Sequence, residues 1–229
     1  MKFYLIVLCF TFLGCQAKQK KPIIEKPDYL ENYAMDQLRE DLTALRSEFE
    51  RYHAGLYRYT SKDELNRVFN QVMNNIDHDM DQINFYRLIT PYIATINCGH
   101  TRTRLPEVVR TKVLKNELFL PLKVKIIDEK VYVLDYFGKG EVLVPGTEIL
   151  EINTNSIAQI RGKVLGSLPS DGFIETSKIR YWELDFSYLY TLFIDQSIED
   201  YQLKIKDESG IKTVIVEGVQ FEKIPYQAS

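Results

Sequence analysis

Cysteine, histidine and long apolar runs are all scarce in this chain of 229 residues. Its cysteines are Cys9, Cys15 and Cys98, and its histidines are His53, His78 and His100. Two of the three cysteines sit in the first 15 residues, so Cys98 has no partner in the body of the chain and no disulfide framework is possible. No Gly-x-Ser-x-Gly elbow occurs, and no Ser/Lys pair lies in a glycine-rich turn, which argues against self-contained covalent catalysis. Basic runs are missing too. Nothing is longer than Lys20-Lys21 and the formal charge is −3, so nucleic acid is not an expected partner, and neither a metal nor another cofactor is expected.

What remains is a globular composition. An apolar fraction of 45% with 12% aromatics can bury a core, and the length suits one large domain or two modest ones. The amino terminus differs from the rest: Lys2, then an apolar run from Phe3 to Leu13, then Gly14-Cys15. That run is too short to span a bilayer and reads as the core of a signal peptide. Phe12-Leu13-Gly14-Cys15 resembles the bacterial lipobox, with Phe12 in place of the usual aliphatic residue. The resemblance implies lipid attachment at Cys15 and a membrane-anchored protein of the bacterial cell envelope, periplasmic or surface-exposed; a plain cleaved signal is the other reading. Residues 16–30, with four lysines and two prolines, read as a tether.

From Met35 the steps Met35, Leu38, Leu42, Leu45, Phe49, Tyr52 predict an amphipathic helix that ends near His53 and Gly55. His53 at that end is favoured by the helix dipole more than by catalysis. Ser61 with Glu64 three residues on predicts a capped second helix through Leu65, Val68, Phe69, Val72 and Ile76. A third carries Phe85, Leu88, Ile89, Tyr92 and Ile96, with Pro91 expected to kink it. Cys98 reads as a small buried hydrophobe or as a reactive thiol. His100 is either a hydrogen-bonded hinge histidine between domains or a metal or acid–base residue, and the absence of another histidine or an acidic cluster nearby in sequence favours the hinge.

The most informative stretch is Leu143-Val144-Pro145-Gly146-Thr147-Glu148-Ile149-Leu150-Glu151-Ile152-Asn153, a Pro-Gly turn feeding a short strand and then an Asn-rich turn into a helix. It resembles the signature of PDZ modules, which add a peptide as a strand to a sheet edge. Leu118, Leu120, Leu122, Val124 and Ile126 alternate as a half-buried strand that turns at Asp128-Glu129-Lys130. In the PDZ-like reading Phe119, Leu120 and Leu122 line the peptide pockets, although Pro121 removes one N–H from the carboxylate-holding loop; sheet core is the competing reading for all three. Ile179, Trp182, Phe186, Leu189 and Phe193 predict one long aromatic helix from Thr176, and a hairpin from Tyr201 to Val216 closes the chain.

Gly55-Leu56-Tyr57-Arg58-Tyr59, Gly99-His100-Thr101, Phe119-Leu120-Pro121-Leu122, Pro145-Gly146-Thr147 and Leu168-Pro169-Ser170-Asp171-Gly172, in this order, resemble the amino-terminal region of the S41 peptidases, the tail-specific or carboxy-terminal-processing serine proteases. The expected fold is α+β: a small three-helix domain over 31–104, then over 105–220 a PDZ-like, partly open β-barrel with an added long helix. Residues 1–15 are the leader, 16–30 the tether, and 221–229 the start of a linker. The family's Ser/Lys machinery follows the PDZ-like module, and only eleven residues follow Gly218 here, so the catalytic domain is expected to be absent from this chain. Three readings follow: the substrate-recognition part of a peptidase, whose aromatic helix would leave an apolar patch for the catalytic domain; a stand-alone lipoprotein that binds peptides, unfolded segments or a partner protease; and an interaction module whose groove is filled by its own side chains.

Overall fold

The computed structural model describes residues 30–140, 143–196 and 198–225. The leader with Cys15 and residues 16–29 of the expected tether lie outside them, whereas Leu30, also counted in the tether, is buried in the core.

The fold is mixed α+β with antiparallel sheets. The first helices are α1 (Met35–Tyr52), α2 (Lys62–Asn75) and α3 (Gln82–Ala94), and a two-residue ladder pairs β1 (Asn32–Tyr33) with β2 (Met80–Asp81). Local chemistry accounts for the helix starts. Ser61 accepts from Glu64 N–H at 3.2 Å, while the Glu64 carboxylate turns instead to Arg67 Nε at 2.8 Å, so only half of the expected capping box forms. Asp81, buried, takes the N–H groups of Ile83 and Asn84 at 2.9 Å each. Leu38, Leu42, Leu65, Phe69, Val72, Ile76 and Tyr92 form one core among these helices. Helix α3 continues past Pro91 to Ala94, since a proline this close to the end costs few intrahelical bonds.

Helix α4 (Glu107–Asn116) was not anticipated: its apolar positions are few, and only Val109 and Val113 are buried. Next come β3 (Leu122–Ile127), β4 (Lys130–Tyr136), β5 (Glu148–Ile152), β6 (Asn155–Ser156), α5 (Ile157–Ser167), α6 (Thr176–Leu184), α7 (Phe186–Phe193), β7 (Asp200–Asp207) and β8 (Gly210–Glu217). The sheet runs β3-β4-β5-β7-β8, with β6 beside β5. Its outer strands do not pair, but Phe119 and Val219 exchange N–H···O bonds of 2.8 and 2.9 Å just outside them, which curls the sheet without closing it. Asp128 and Glu129, both at positive φ, make the tight turn between β3 and β4.

The single long aromatic helix expected from Thr176 is two helices meeting at Asp185, where φ is −113° and ψ is 29°. Backbone bonds from Asp185 N to Tyr181 O and from Leu189 N to Asp185 O persist, so the chain bends there rather than turning away. The bend lets α6 follow β3 while α7 passes between β3, α5 and α3. Apolar on several faces, this row is thereby covered on several faces: Trp182, Phe186 and Tyr190 are fully buried. Helix α3 joins the two halves. Its Tyr86 stacks on Phe193 at 6.0 Å, and Arg87 reaches the carbonyls of Leu192 and, at 3.1 Å, Thr191.

Candidate functional site

Three segments far apart in sequence meet at the end of α3. The first follows α1. The His53 N–H caps the helix on Phe49 O, and its Nδ1 accepts from Gly55 N–H at 3.2 Å. That fixes the proton of a neutral ring on Nε2, which then donates to Thr101 Oγ1 at 2.7 Å. The second segment is Asn97–Thr101. Asn97 sits at φ 56° and ties Thr60 Oγ1 and Thr95 O with its amide, 3.1 Å each. The third is the loop after α5. Gly172 N–H donates to Asn97 O at 2.9 Å, and Asp171 Oδ1 accepts from Gly99 N–H at 2.8 Å.

Two glycines shape this junction, Gly99 by leaving room for a side chain and Gly172 by its backbone conformation. A Cβ on Gly99 would come within 2.9 Å of the Asp171 carboxylate, and Gly172 has φ 62° with the Tyr59 ring 3.2 Å from where a Cβ would be. Side chains then project from a well-bonded backbone. Sγ of Cys98, an imidazole nitrogen of His100 and a carboxylate oxygen of Asp171 lie within 4.8 Å of one another, with His100 and Asp171 exposed and Cys98 half-buried. Around them stand apolar and aromatic side chains. Phe173 is 79% exposed and Ile174 57%, Tyr59 meets Phe173 edge to face at 6.4 Å, and Tyr181 holds Arg102 by a 2.8 Å hydrogen bond and under its ring. Arg58 lies over Tyr59.

No protein-family profile and no curated protein matches the chain. Solved structures do. Mature CPAF is matched at 14% identity with a TM-score of 0.52, over 80% of this chain and 34% of that one. Mature CPAF complexed with lactacystin is matched at 14% identity and TM-score 0.53 over 80% and 35%, and a mutant of CPAF at 15% and 0.53 over 80% and 34%. The chain spans about a third of the length of the CPAF structures, and at this identity the likeness is one of fold.

Within that CPAF-like fold the residues expected to line a peptide groove are core. Phe119, Leu120 and Leu122 are 0%, 0% and 1% exposed, so these side chains offer no surface to a peptide. The free side of β3 is covered by α6 and α7. Glu183 accepts from Ile126 N–H at 3.2 Å and from Lys125 at 2.9 Å, while Ser187 Oγ reaches the carbonyls of Leu120 and Leu122 at 2.6 and 3.0 Å. Burial pulls the Glu183 carboxyl up, but the hydrogen bonds from Lys125, Ile126 N–H and Arg180 outweigh it and hold it below the usual carboxylate range.

The Pro-Gly signature is structural as well. Gly146, at φ 88°, donates to Val133 O at 2.9 Å and turns the chain into the central strand β5. Asn153 accepts from Gln202 N–H at 3.0 Å and donates to Asp195 at 3.1 Å. Asp195 in turn accepts from Tyr190, whose hydroxyl burial and that bond push well above its usual range. The bonds joining the segments run through Gly99 and Asn97, while the His100 ring, expected at a hinge, stands beside Asp171 and Cys98. Sequence distance hid Asp171 as its neighbour; glycines next to both, Gly99 and Gly172, were the available signal. No patch is bared along α7. Near α6 and α7 the exposed large apolar residues are Phe173 and Ile174, just before α6, and Tyr181 within it; others such as Val108, Ile211 and Ile215 lie on other elements.

Proposed function

We propose that this chain is the substrate-recognition portion of a serine peptidase of the tail-specific, S41 type, and that an extended peptide is recognised at the aromatic rim formed by Tyr59, Phe173, Ile174 and Tyr181. Two independent lines support the reading: the sequence landmarks shared with that family, and a fold like that of CPAF, a serine protease. The observation that carries the location is the exposure of Phe173 and Ile174, two large apolar neighbours on a loop whose backbone is pinned to the end of α3. Apolar surface of this kind, rimmed by polar groups, marks interaction sites. Arg58 and Arg102, each against an exposed tyrosine, add positive charge suited to a peptide carboxylate. The β3 edge, filled by α6 and α7, is not used. Hydrolysis in this reading belongs to a serine–lysine domain that these residues do not provide, and lipid attachment at Cys15 would hold the assembly at the cell envelope.

The test is fluorescence anisotropy with a dye-labelled, reduced and alkylated polypeptide as the unfolded probe. Binding that falls about tenfold in the Phe173→Ser/Ile174→Ser double variant supports the reading. An unbound probe, or equal binding by the double variant, overturns it.

A further inference from the structure

We propose that Cys98, His100 and Asp171 form a binding site for a zinc ion, which clamps the loop after α5 to the end of α3. The peptide reading is not needed for this. Thiolate, imidazole and carboxylate together are a borderline-soft donor set that favours zinc over the hard cations magnesium and calcium, which take oxygen ligands. The three donors come from two segments some seventy residues apart, and the fold has already brought them within 4.8 Å of one another. Bonds of about 2.0–2.3 Å to a tetrahedral zinc put donors roughly 3.3–3.8 Å apart, so closing the site needs a shift of about 1 Å. The exposed His100 makes most of that shift by changing rotamer, with the Asp171 carboxylate kept in place.

The surroundings prepare the geometry. Gly99 N–H holds Asp171 Oδ1 at 2.8 Å and leaves Oδ2 for the metal, the kind of outer bond that orients a ligating carboxylate. A side chain at position 99 would occupy the space of that carboxylate, at 2.9 Å. Gly172, the next residue after Asp171, is fixed to Asn97 O, so the backbone on either side of the donor set is anchored in the absence of metal. Three protein donors leave a fourth position, which faces solvent on the exposed side of the cluster and takes a water.

The site predicts measurable binding. Cobalt(II), the spectroscopic stand-in for zinc, titrated into the reduced full chain gives the intense visible bands of tetrahedral coordination and a thiolate-to-cobalt absorption in the near ultraviolet at one equivalent. Zinc displaces it; magnesium does not. Cys98→Ser removes the thiolate band, which separates this site from Cys9 and Cys15, and His100→Gln and Asp171→Asn each weaken zinc at least about tenfold by calorimetry. All three changes are on exposed or half-buried side chains, and circular dichroism of each variant verifies folding. No cobalt bands, or a thiolate band that persists in Cys98→Ser, overturns the assignment.

Discussion

The free side of β3 and the loop at 168–174 flank helix α6 and treat their side chains in opposite ways. Along β3 the chain covers its own edge: Glu183 takes the Ile126 N–H, Ser187 reaches the carbonyls of Leu120 and Leu122, and Phe119, Leu120 and Leu122 are inside. At the loop the backbone is pinned by the Gly172 N–H bond to Asn97 O and the Asp171 carboxylate takes the Gly99 N–H, yet the side chains of His100, Asp171, Phe173 and Ile174 are exposed. A strand edge with its hydrogen bonds supplied from within the chain has nothing to offer a peptide, because main-chain pairing is what β-augmentation uses. A rigid backbone that leaves reactive and apolar side chains outside is how a loop carries function. This contrast is the reason the proposed site is at the junction and not on the sheet.

The largest expected effect lies on the sealed side. Leu122→Asp places a carboxylate where the side chain is 1% exposed, and it is expected to cost more than about 4 kcal/mol, enough to abolish cooperative urea unfolding in a domain of ordinary stability. If the variant keeps its midpoint, the β3 edge opens in solution and the comparison fails.

Glu183→Gln is the next. Loss of charge at a group that bonds Lys125, Arg180 and Ile126 N–H is expected to destabilise by about 1–3 kcal/mol. The sign with pH follows from the direction of the shift. The Glu183 carboxyl is held below its unfolded value, so its contribution is complete above the ordinary carboxylate pKa and disappears as pH falls through the lowered folded one. Wild-type stability should therefore decline with acid over that window more steeply than that of the glutamine variant. Parallel acid limbs would mean that the carboxylate is not engaged.

How far the sequence revealed these regions follows from the range of the forces involved. The helices α1 to α3, the capping at Ser61 and the β3–β4 turn were readable because each depends on residues a few positions apart. The bend at Asp185 was not, since Ile179 to Phe193 keeps helical spacing across it and only packing against β3, α5 and α3 distinguishes two helices from one. Helix α4 lacks a strong apolar stripe. At the site, His100 was visible but its surroundings were not, because Asp171 arrives through the fold. Alternation correctly placed Leu122 and Val124 on the buried face of β3, but Leu120 precedes the strand beside the equally buried Phe119 and Pro121, and alternation does not say whether a buried face meets a ligand or α7.

Gly172→Ala probes the junction itself. An L side chain at φ 62°, with Tyr59 at 3.2 Å, is expected to cost about 1–2 kcal/mol and to loosen the loop, raising amide exchange at Gly172 and Gly99 more than in the sheet. Uniform exchange across both regions would mean that the loop is not an independent element.

The smallest expected change in stability is the sharpest test of the contrast. Phe173 is 79% exposed and touches the protein mainly through the edge of Tyr59, so Phe173→Ser should shift the unfolding free energy by no more than about 0.5 kcal/mol. Packing accounts for little of a phenylalanine this exposed on a pinned loop, and in the reading proposed above its contribution is to binding. Equal urea midpoints with weakened anisotropy binding of the unfolded probe would place recognition at the junction. A drop of several kcal/mol would instead make Phe173 part of the core, and the two sides of α6 would then differ in degree only.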